Sequence, residues 1–199
     1  MRCPFCHNAG LVRTPNASNN LYHEVLDYLK SRRGVLEGVC VTGGEPLLQP
    51  DLIPFLREIK SMGFDVKLDT NGSLPKRLKE VLASGLVDYV AMDIKSSEKG
   101  YATACGGDVD FTTFQNSIEV IRASGVEYEF RTTAVKGIHT LCDFTEIAKL
   151  LKSDENYFIQ GFIDSGNLLS GGSAFSKEEM QSILNEVQKL VPKASLRGQ

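Results

Sequence analysis

Strand-like and helix-like runs alternate five times along this chain, and that alternation restricts it to one architecture. Leu21, Val25, Leu26 and Leu29 share a face of a helix expected from about Leu21 to Arg33, with Ser18 or Asn19 as its cap. Val39 to Thr42 reads as a short buried strand. A second helix starts at Asp51, places Leu52, Phe55, Leu56 and Ile59 on its apolar face, and closes at Gly63. Phe64 to Asp69 is a strand, and Pro75 opens a helix that ends near Gly85. A strand from Val87 to Ile94, a loop from Ser96 to Asp110 and a helix from Phe111 to Ser124 follow. Then come a strand from Val126 to Val135, a helix from Leu141 to Lys152 and a strand from Tyr157 to Ile163. Asp164 to Ala174, with Gly171-Gly172, is a loop, and Ser176 with Glu179 forms a capping box for a last helix to about Leu190. A helix between two strands brings them back in parallel, so the expectation is an α/β fold of five sequential parallel strands. No repeat or linker divides the chain, so residues 1–199 are expected to form one domain.

The strands also carry a polarity. Parallel strands covered by helices on both faces read as continuous apolar runs. Here Lys67 and Asp69 share one face of their strand, Asp93 and Lys95 one face of theirs, and Glu129, Arg131 and Thr133 another, with Tyr128 and Phe130 opposite. A closed barrel core rejects that many charges, whereas an incomplete barrel around a polar ligand accepts them. Ligands of such folds bind at the carboxyl ends of the strands, where these residues fall. Asp69, Asp93 and Lys95 are therefore expected to face Gly43 and Gly44.

Composition narrows the function. A net charge of −3 gives no basic footprint for nucleic acid. No apolar run reaches membrane-span length, and Met1-Arg2-Cys3 starts no signal peptide. Five cysteines with one close pair do not suggest a secreted disulfide framework, so a reducing cytoplasm is expected.

The close pair is Cys3-Pro4-Phe5-Cys6. Two thiols at this spacing bind iron of an iron–sulfur cluster, bind zinc, or exchange disulfides. Gly43-Gly44-Glu45-Pro46 follows a strand and precedes a helix; it serves either a close backbone approach to a ligand or a tight turn. Asp69-Thr70-Asn71-Gly72 contains an Asn-Gly turn pair. Asp93 and Lys95 are a buried ion pair, a ligand site, or both, and Arg131 neutralises Asp93 or Glu129 unless it binds a ligand itself. His23 reads as a surface residue, and His139, in a strand-to-helix loop near the ligand end, as a site residue or, as loop histidines usually are, a histidine in water. Cys40 reads as a buried strand residue, while Cys105 and Cys142 have no metal-ligand spacing.

Taken in order, Cys3-Pro4-Phe5-Cys6-His7-Asn8, Thr42-Gly43-Gly44-Glu45-Pro46, Asp69-Thr70-Asn71-Gly72, Asp93-Ile94-Lys95 and Arg131-Thr132-Thr133 resemble the radical S-adenosylmethionine (radical SAM) superfamily. The set resembles most the glycyl-radical activating enzymes. Val90 to Lys95 and Tyr128 to Thr133 look like the activator of anaerobic ribonucleotide reductase, with the pyruvate formate-lyase activator as the alternative. The resemblance implies a partial (βα)6-type barrel of parallel strands, a [4Fe-4S] cluster ligated by Cys3 and Cys6, and S-adenosylmethionine as co-substrate. By the same resemblance Phe5 packs near the adenine, Gly43, Gly44 and Glu45 bind the amino group, Asp69 and Thr70 lie beside the methionine moiety, and Asp93, Lys95 and Arg131 contact the ligand. It implies a glycyl-radical enzyme as protein substrate and a flavodoxin- or ferredoxin-type electron donor.

The superfamily signature has a further cysteine four residues before Cys3. The resemblance thus implies that the chain starts inside its own cluster motif and lacks the family's first strand. The resulting expectation is a form without a stable four-iron cluster and with a mobile stretch over residues 1–19. A catalytically inactive fragment and a zinc-binding module stay open beside the enzyme.

Overall fold

The computed structural model describes residues 1, 3–6, 21–164 and 172–198. The expected cap at Ser18 or Asn19, the His7-Asn8 pair, the expected mobility of the leading loop from residue 7 on, and Gly171 lie outside them.

The elements run α1 (Leu21–Ser31), β1 (Gly38–Val41), a 3₁₀ turn (Pro46–Leu48), α2 (Leu52–Ser61), β2 (Asp65–Thr70), α3 (Pro75–Ala83) and β3 (Tyr89–Asp93). There follow α4 (Tyr101–Cys105), α5 (Phe111–Arg122), β4 (Glu127–Ala134), α6 (Leu141–Leu150), β5 (Tyr157–Gly161), α7 (Lys177–Gln188) and β6 (Ser195–Arg197). The strands take the order of the sequence, β1-β2-β3-β4-β5-β6. The expected α/β alternation is present throughout. No helix among the described residues is long and apolar enough to cross a membrane.

The chain forms two compact units. One comprises residues 11–92 and 113–128. In it β1 pairs parallel with β2, Val39 opposite Val66, and β2 pairs parallel with β3, Leu68 opposite Val90. Leu52, Leu56 and Ile59 recur at helical spacing and are buried as α2 packs on β2. Gly63, at φ +89, ends this segment in a conformation that glycine adopts without a Cβ penalty. Lys60 reaches the Asp88 carboxylate at 2.7 Å, and the same carboxylate accepts the Val66 N–H at 2.7 Å. Burial opposes ionisation of Asp88, but these partners hold its pKa below the usual 3.8.

The other unit comprises residues 1–10, 93–112 and 129–199. Here β4 pairs parallel with β5, Arg131 opposite Phe158, and β5 pairs parallel with β6, Ile159 opposite Leu196. The strand parity read from the sequence shows in the burial from Phe130 on: Phe130 and Ala134 are fully buried, while Arg131 and Thr133 on the opposite face are half-buried; before it Glu129 is buried and Tyr128 half-buried, against that pattern. Thr132 completes the buried side, its hydroxyl donating to Ile94 O at 2.8 Å and accepting from the Tyr157 hydroxyl at 2.8 Å. Ser176 and Glu179 form the expected capping box at the start of α7.

Two elements depart from expectation. Five strands were expected and six are present among the described residues, the addition being β6. It is only three residues long, too short to show a period of two, and it is held from outside itself. Arg197 forks onto Glu129 at 2.7 and 3.0 Å and lies 3.6 Å over the Phe158 ring. A Cβ at Gly161 would stand 2.6 Å from Gly198 O, so β6 approaches β5 as closely as it does because residue 161 has no side chain. The second departure is α4, inside the stretch expected as loop. It has five residues, buries Tyr101, Ala104 and Cys105, and stops at Gly106 with φ +69.

Candidate functional site

In the unit of residues 11–92 and 113–128, two loops at strand ends are joined by one carboxylate. Glu45 is 7% exposed. Its Oε1 accepts the Thr70 hydroxyl at 2.9 Å and the Leu47 N–H at 3.2 Å, and its Oε2 accepts the Asn71 N–H at 2.7 Å. A carboxylate satisfied by three protein donors is well suited to burial, since each donor would otherwise lose its water without a replacement. Thr70 in turn accepts the Gly72 N–H at 3.1 Å, and the Ser117 hydroxyl donates to Gly72 O at 2.7 Å. Gly72 has φ +72, and a Cβ there would run into the Met92 methyl at 2.2 Å. Gly43 has φ +152, and a Cβ on Gly43 or Gly44 would meet nothing within 4 Å. The sequence reading gave Glu45 a ligand-binding role; the structure gives the same side chain the work of tying the Gly43-Gly44 turn to the Asp69-Thr70 turn. Asp69 accepts from Lys67 at 2.6 Å, as strand neighbours of one parity can.

The other unit gathers Cys3, Phe5, Cys6, Asp93, Lys95 and Arg131. Asp93 pairs through one oxygen with Lys95 at 2.8 Å and through the other with the Arg131 Nε. Their side chains are 24%, 16% and 13% exposed. Burial works against ionisation of Asp93, but the two cations outweigh it and hold its pKa below the usual carboxylate value. Lys95 is likewise opposed by burial and held charged by Asp93 and then by Cys3. The backbone fixes this triad, since Ile94 N–H donates to Arg131 O at 2.8 Å. Arg131 thus neutralises Asp93, and Arg197 pairs with Glu129.

His139 corrects the sequence reading. It is not a solvated loop residue but 4% exposed. Its Nδ1 accepts the Val135 N–H at 3.0 Å, which leaves the proton on Nε2, and Nε2–H donates to Lys95 O at 2.7 Å. Phe5, also buried, meets this ring edge-on at 6.1 Å between centroids, and Phe144 lies 5.5 Å away on tilted planes. Burial lowers the His139 pKa below 6.5 despite its hydrogen bonds. The unfolded chain therefore takes up a proton that the folded one refuses, and stability falls as pH drops below 6.5 towards the lowered value. The urea midpoint of the protein is expected to decline across that window, and H139N, which does not titrate there, is expected to show a flatter profile. An unchanged slope in the variant would place the effect elsewhere.

The cysteines form a turn, with Cys6 N–H donating to Cys3 O at 3.1 Å. Cys3 is buried in an apolar cluster with Phe5, Ala104, Val135 and Phe162, and Cys6 is packed against that cluster while only half-buried. The Cys105 thiol hydrogen-bonds to Cys3 and lowers its pKa to about 6, against the effect of burial and with help from the Lys95 charge. The same bond, with burial, pushes Cys105 upward. The sequence gave Cys105 no role because nothing local links it to Cys3. Cys40, expected to be buried, is exposed, as is Cys142. The soft thiols of Cys3 and Cys6 fit as two ligands of an iron–sulfur cluster. Among the described residues no group of three or more His, Cys, Asp or Glu side chains is arranged to hold a metal ion.

The model of the radical SAM superfamily matches residues 1–151. A candidate glycyl-radical enzyme activating enzyme of Methanocaldococcus jannaschii is 32% identical over 170 residues, which are 81% of this chain and 68% of that protein. The pyruvate formate-lyase-activating enzyme of Clostridium pasteurianum is 30% identical over 167 residues, 78% of this chain and 67% of the relative. The chain thus spans about two thirds of the length of these relatives. Among solved structures, a domain of the pyruvate-formate lyase-activating enzyme from Bacteroides vulgatus superposes with a TM-score of 0.67 at 22% identity, covering 81% of this chain and 99% of that domain. With its strand order, its cysteine turn and these matches, the chain belongs to the radical SAM superfamily.

Proposed function

We propose that this protein is an activating enzyme that uses a [4Fe-4S] cluster and S-adenosylmethionine to place a glycyl radical on a partner enzyme, anaerobic ribonucleotide reductase first and pyruvate formate-lyase second. The observation that carries this reading is the Asp93–Lys95–Arg131 triad in one unit with the Cys3-Phe5-Cys6 turn, since a paired carboxylate and two largely buried cations in the same unit as two thiols suit a zwitterionic ligand held at a metal. Cys3 and Cys6 would ligate the cluster. Gly43, Gly44, Glu45, Asp69, Thr70, Asp93, Lys95 and Arg131 would hold S-adenosylmethionine, and Phe5 would lie at its adenine. When bound, the cluster supplies the electron that cleaves the sulfonium. The protein's own part is to hold and orient: Glu45 fixes two loops, His139 holds the Lys95 backbone and the Phe5 ring, and the apolar cluster around Cys3 keeps water from the thiol. A flavodoxin- or ferredoxin-type protein would deliver the electron.

The test uses a chain in which a cysteine stands four residues before Cys3, reconstituted with iron and sulfide under argon, with the 199-residue chain as reference. The expected result is retained iron and sulfide and formation of 5′-deoxyadenosine on reduction, both lost in C3S and C6S. A glycyl-radical signal on added anaerobic ribonucleotide reductase, and not on pyruvate formate-lyase, would fix the partner. Retention of zinc in preference to iron and sulfide would replace this reading with that of a zinc-binding module.

A further inference from the structure

We infer that Arg197, on the last strand, is a positioning residue: acting through Glu129, it holds Arg131 to Asp93 and so sets the geometry of the Asp93–Lys95–Arg131 triad. All of these groups belong to the unit of residues 1–10, 93–112 and 129–199. The strand register places them on one face. Arg131 stands opposite Phe158 and Phe158 opposite Ser195, so the three side chains project to the same side. Glu129 shares the parity of Arg131, and Arg197 that of Ser195. Glu129 therefore precedes Arg131 by two residues on the face from which the Arg131 Nε reaches Asp93. Oppositely charged residues two apart do meet in this protein: Lys67 pairs with Asp69 at 2.6 Å and Lys95 with Asp93 at 2.8 Å. Arg131 thus has two carboxylates within its reach, Asp93 and Glu129.

Strand β6 decides between them. It is anchored from both ends: Val191 and Ala194, just before it, are buried, the Gln188 amide donates to Ala194 O at 2.9 Å, and Gly161 leaves room for the backbone at Gly198. From this base Arg197 forks onto both oxygens of Glu129, at 2.7 and 3.0 Å, with its guanidinium over the Phe158 ring. The fork fits a carboxylate as a lysine would not, and the ring limits where the guanidinium can go. The Glu129 side chain is only 4% exposed, against 39% for Arg197. A carboxylate so enclosed needs cations or donors in place of its lost water. Without the Arg197 fork that demand falls on Arg131, the cation of its own strand face, and Arg131 is drawn from Asp93 towards Glu129. That the triad serves S-adenosylmethionine rests on the functional proposal; the coupling of Arg197 to Arg131 does not.

The experiment follows the Arg131 Nε–H resonance in the nitrogen-15-labelled 199-residue chain, identified by its loss in R131K. This proton points at Asp93, so its resonance reads that bond directly. It is expected to shift in R197M and to return to its parental position in R197M/E129Q, which has no carboxylate at residue 129 to draw Arg131 away. If R197M does not fold, R197Q, which keeps an amide donor for Glu129 without the charge, carries the same comparison. An unmoved resonance overturns the inference. So does a shift that E129Q does not reverse, because β6 would then act by packing alone. Equilibrium dialysis of S-adenosylmethionine against the reconstituted chain with its added cysteine separates this inference from the functional proposal. Affinity is expected to weaken about fivefold in R197M and to recover in R197M/E129Q. Unchanged affinity beside a shifted resonance would refute the ligand role of Arg131 and leave its positioning by Arg197 standing.

Discussion

E45A is expected to destabilise the protein by about 3 kcal/mol or more, because removing one buried carboxylate strands several donors at once. The Thr70 hydroxyl and the N–H groups of Leu47 and Asn71 all lose their acceptor, and Glu45 is 7% exposed. A donor buried without a partner costs about 1–3 kcal/mol. E45Q keeps one acceptor oxygen but turns an amide N–H₂ towards a donor, so an intermediate loss is expected. The urea midpoint of each variant measures this, and a loss below about 1 kcal/mol for E45A would show that water replaces the carboxylate. On the function proposed above the tie also has a functional reach, since it holds the Gly43-Gly44 turn to the Asp69-Thr70 turn. E45Q is therefore expected to weaken S-adenosylmethionine binding beyond its effect on folding, which equilibrium dialysis at a temperature well below unfolding would read.

D93N is the second large effect. It leaves Lys95 and Arg131 side by side, 16% and 13% exposed, without the carboxylate that both contact. Stranding a charge in a largely buried pair costs about 3–5 kcal/mol, and the residual solvent access here brings the expected loss to about 2–4 kcal/mol. The double variant D93N/K95M, which removes one of the stranded charges, is expected to recover part of it. The pH dependence supplies a second signature. Because the folded pKa of Asp93 lies below 3.8, its stabilisation is complete above that value and is lost as pH falls through the lowered one. D93N is expected to flatten that acid limb. A variant as stable as the parent would mean that the remaining surroundings of Lys95 and Arg131 hold both charges without the carboxylate.

Much of this was legible in the sequence, and for a local reason. Strand residues alternate with a period of two, so the half-buried Lys67, Asp69, Arg131 and Thr133 could be assigned faces from their numbers alone. Helix faces and the Ser176-Glu179 cap follow from spacings of three and four residues. The Cys3-Phe5-Cys6 turn and the glycines at strand ends are also short-range patterns.

What the tertiary structure decided are encounters between side chains far apart in the chain. The Glu129–Arg197 pair spans the second unit's strands, and only the placement of β6 brings Arg197 to Glu129, at 2.7 Å. His139 looked like a loop residue in water until Val135 N–H and Lys95 O enclosed it from two sides. Glu45 carried the signature of a ligand contact in the sequence, and only the fold shows that the next strand's end also brings Thr70 and Asn71 to its carboxylate. Cys105 had no spacing to mark it, and its neighbour Ala104 joins the cluster around Cys3 only because α4 packs with the leading turn. A period along a strand or helix is written by covalent geometry and can be counted. A contact across the chain exists only once packing has fixed the distance, and no count of intervening residues contains it.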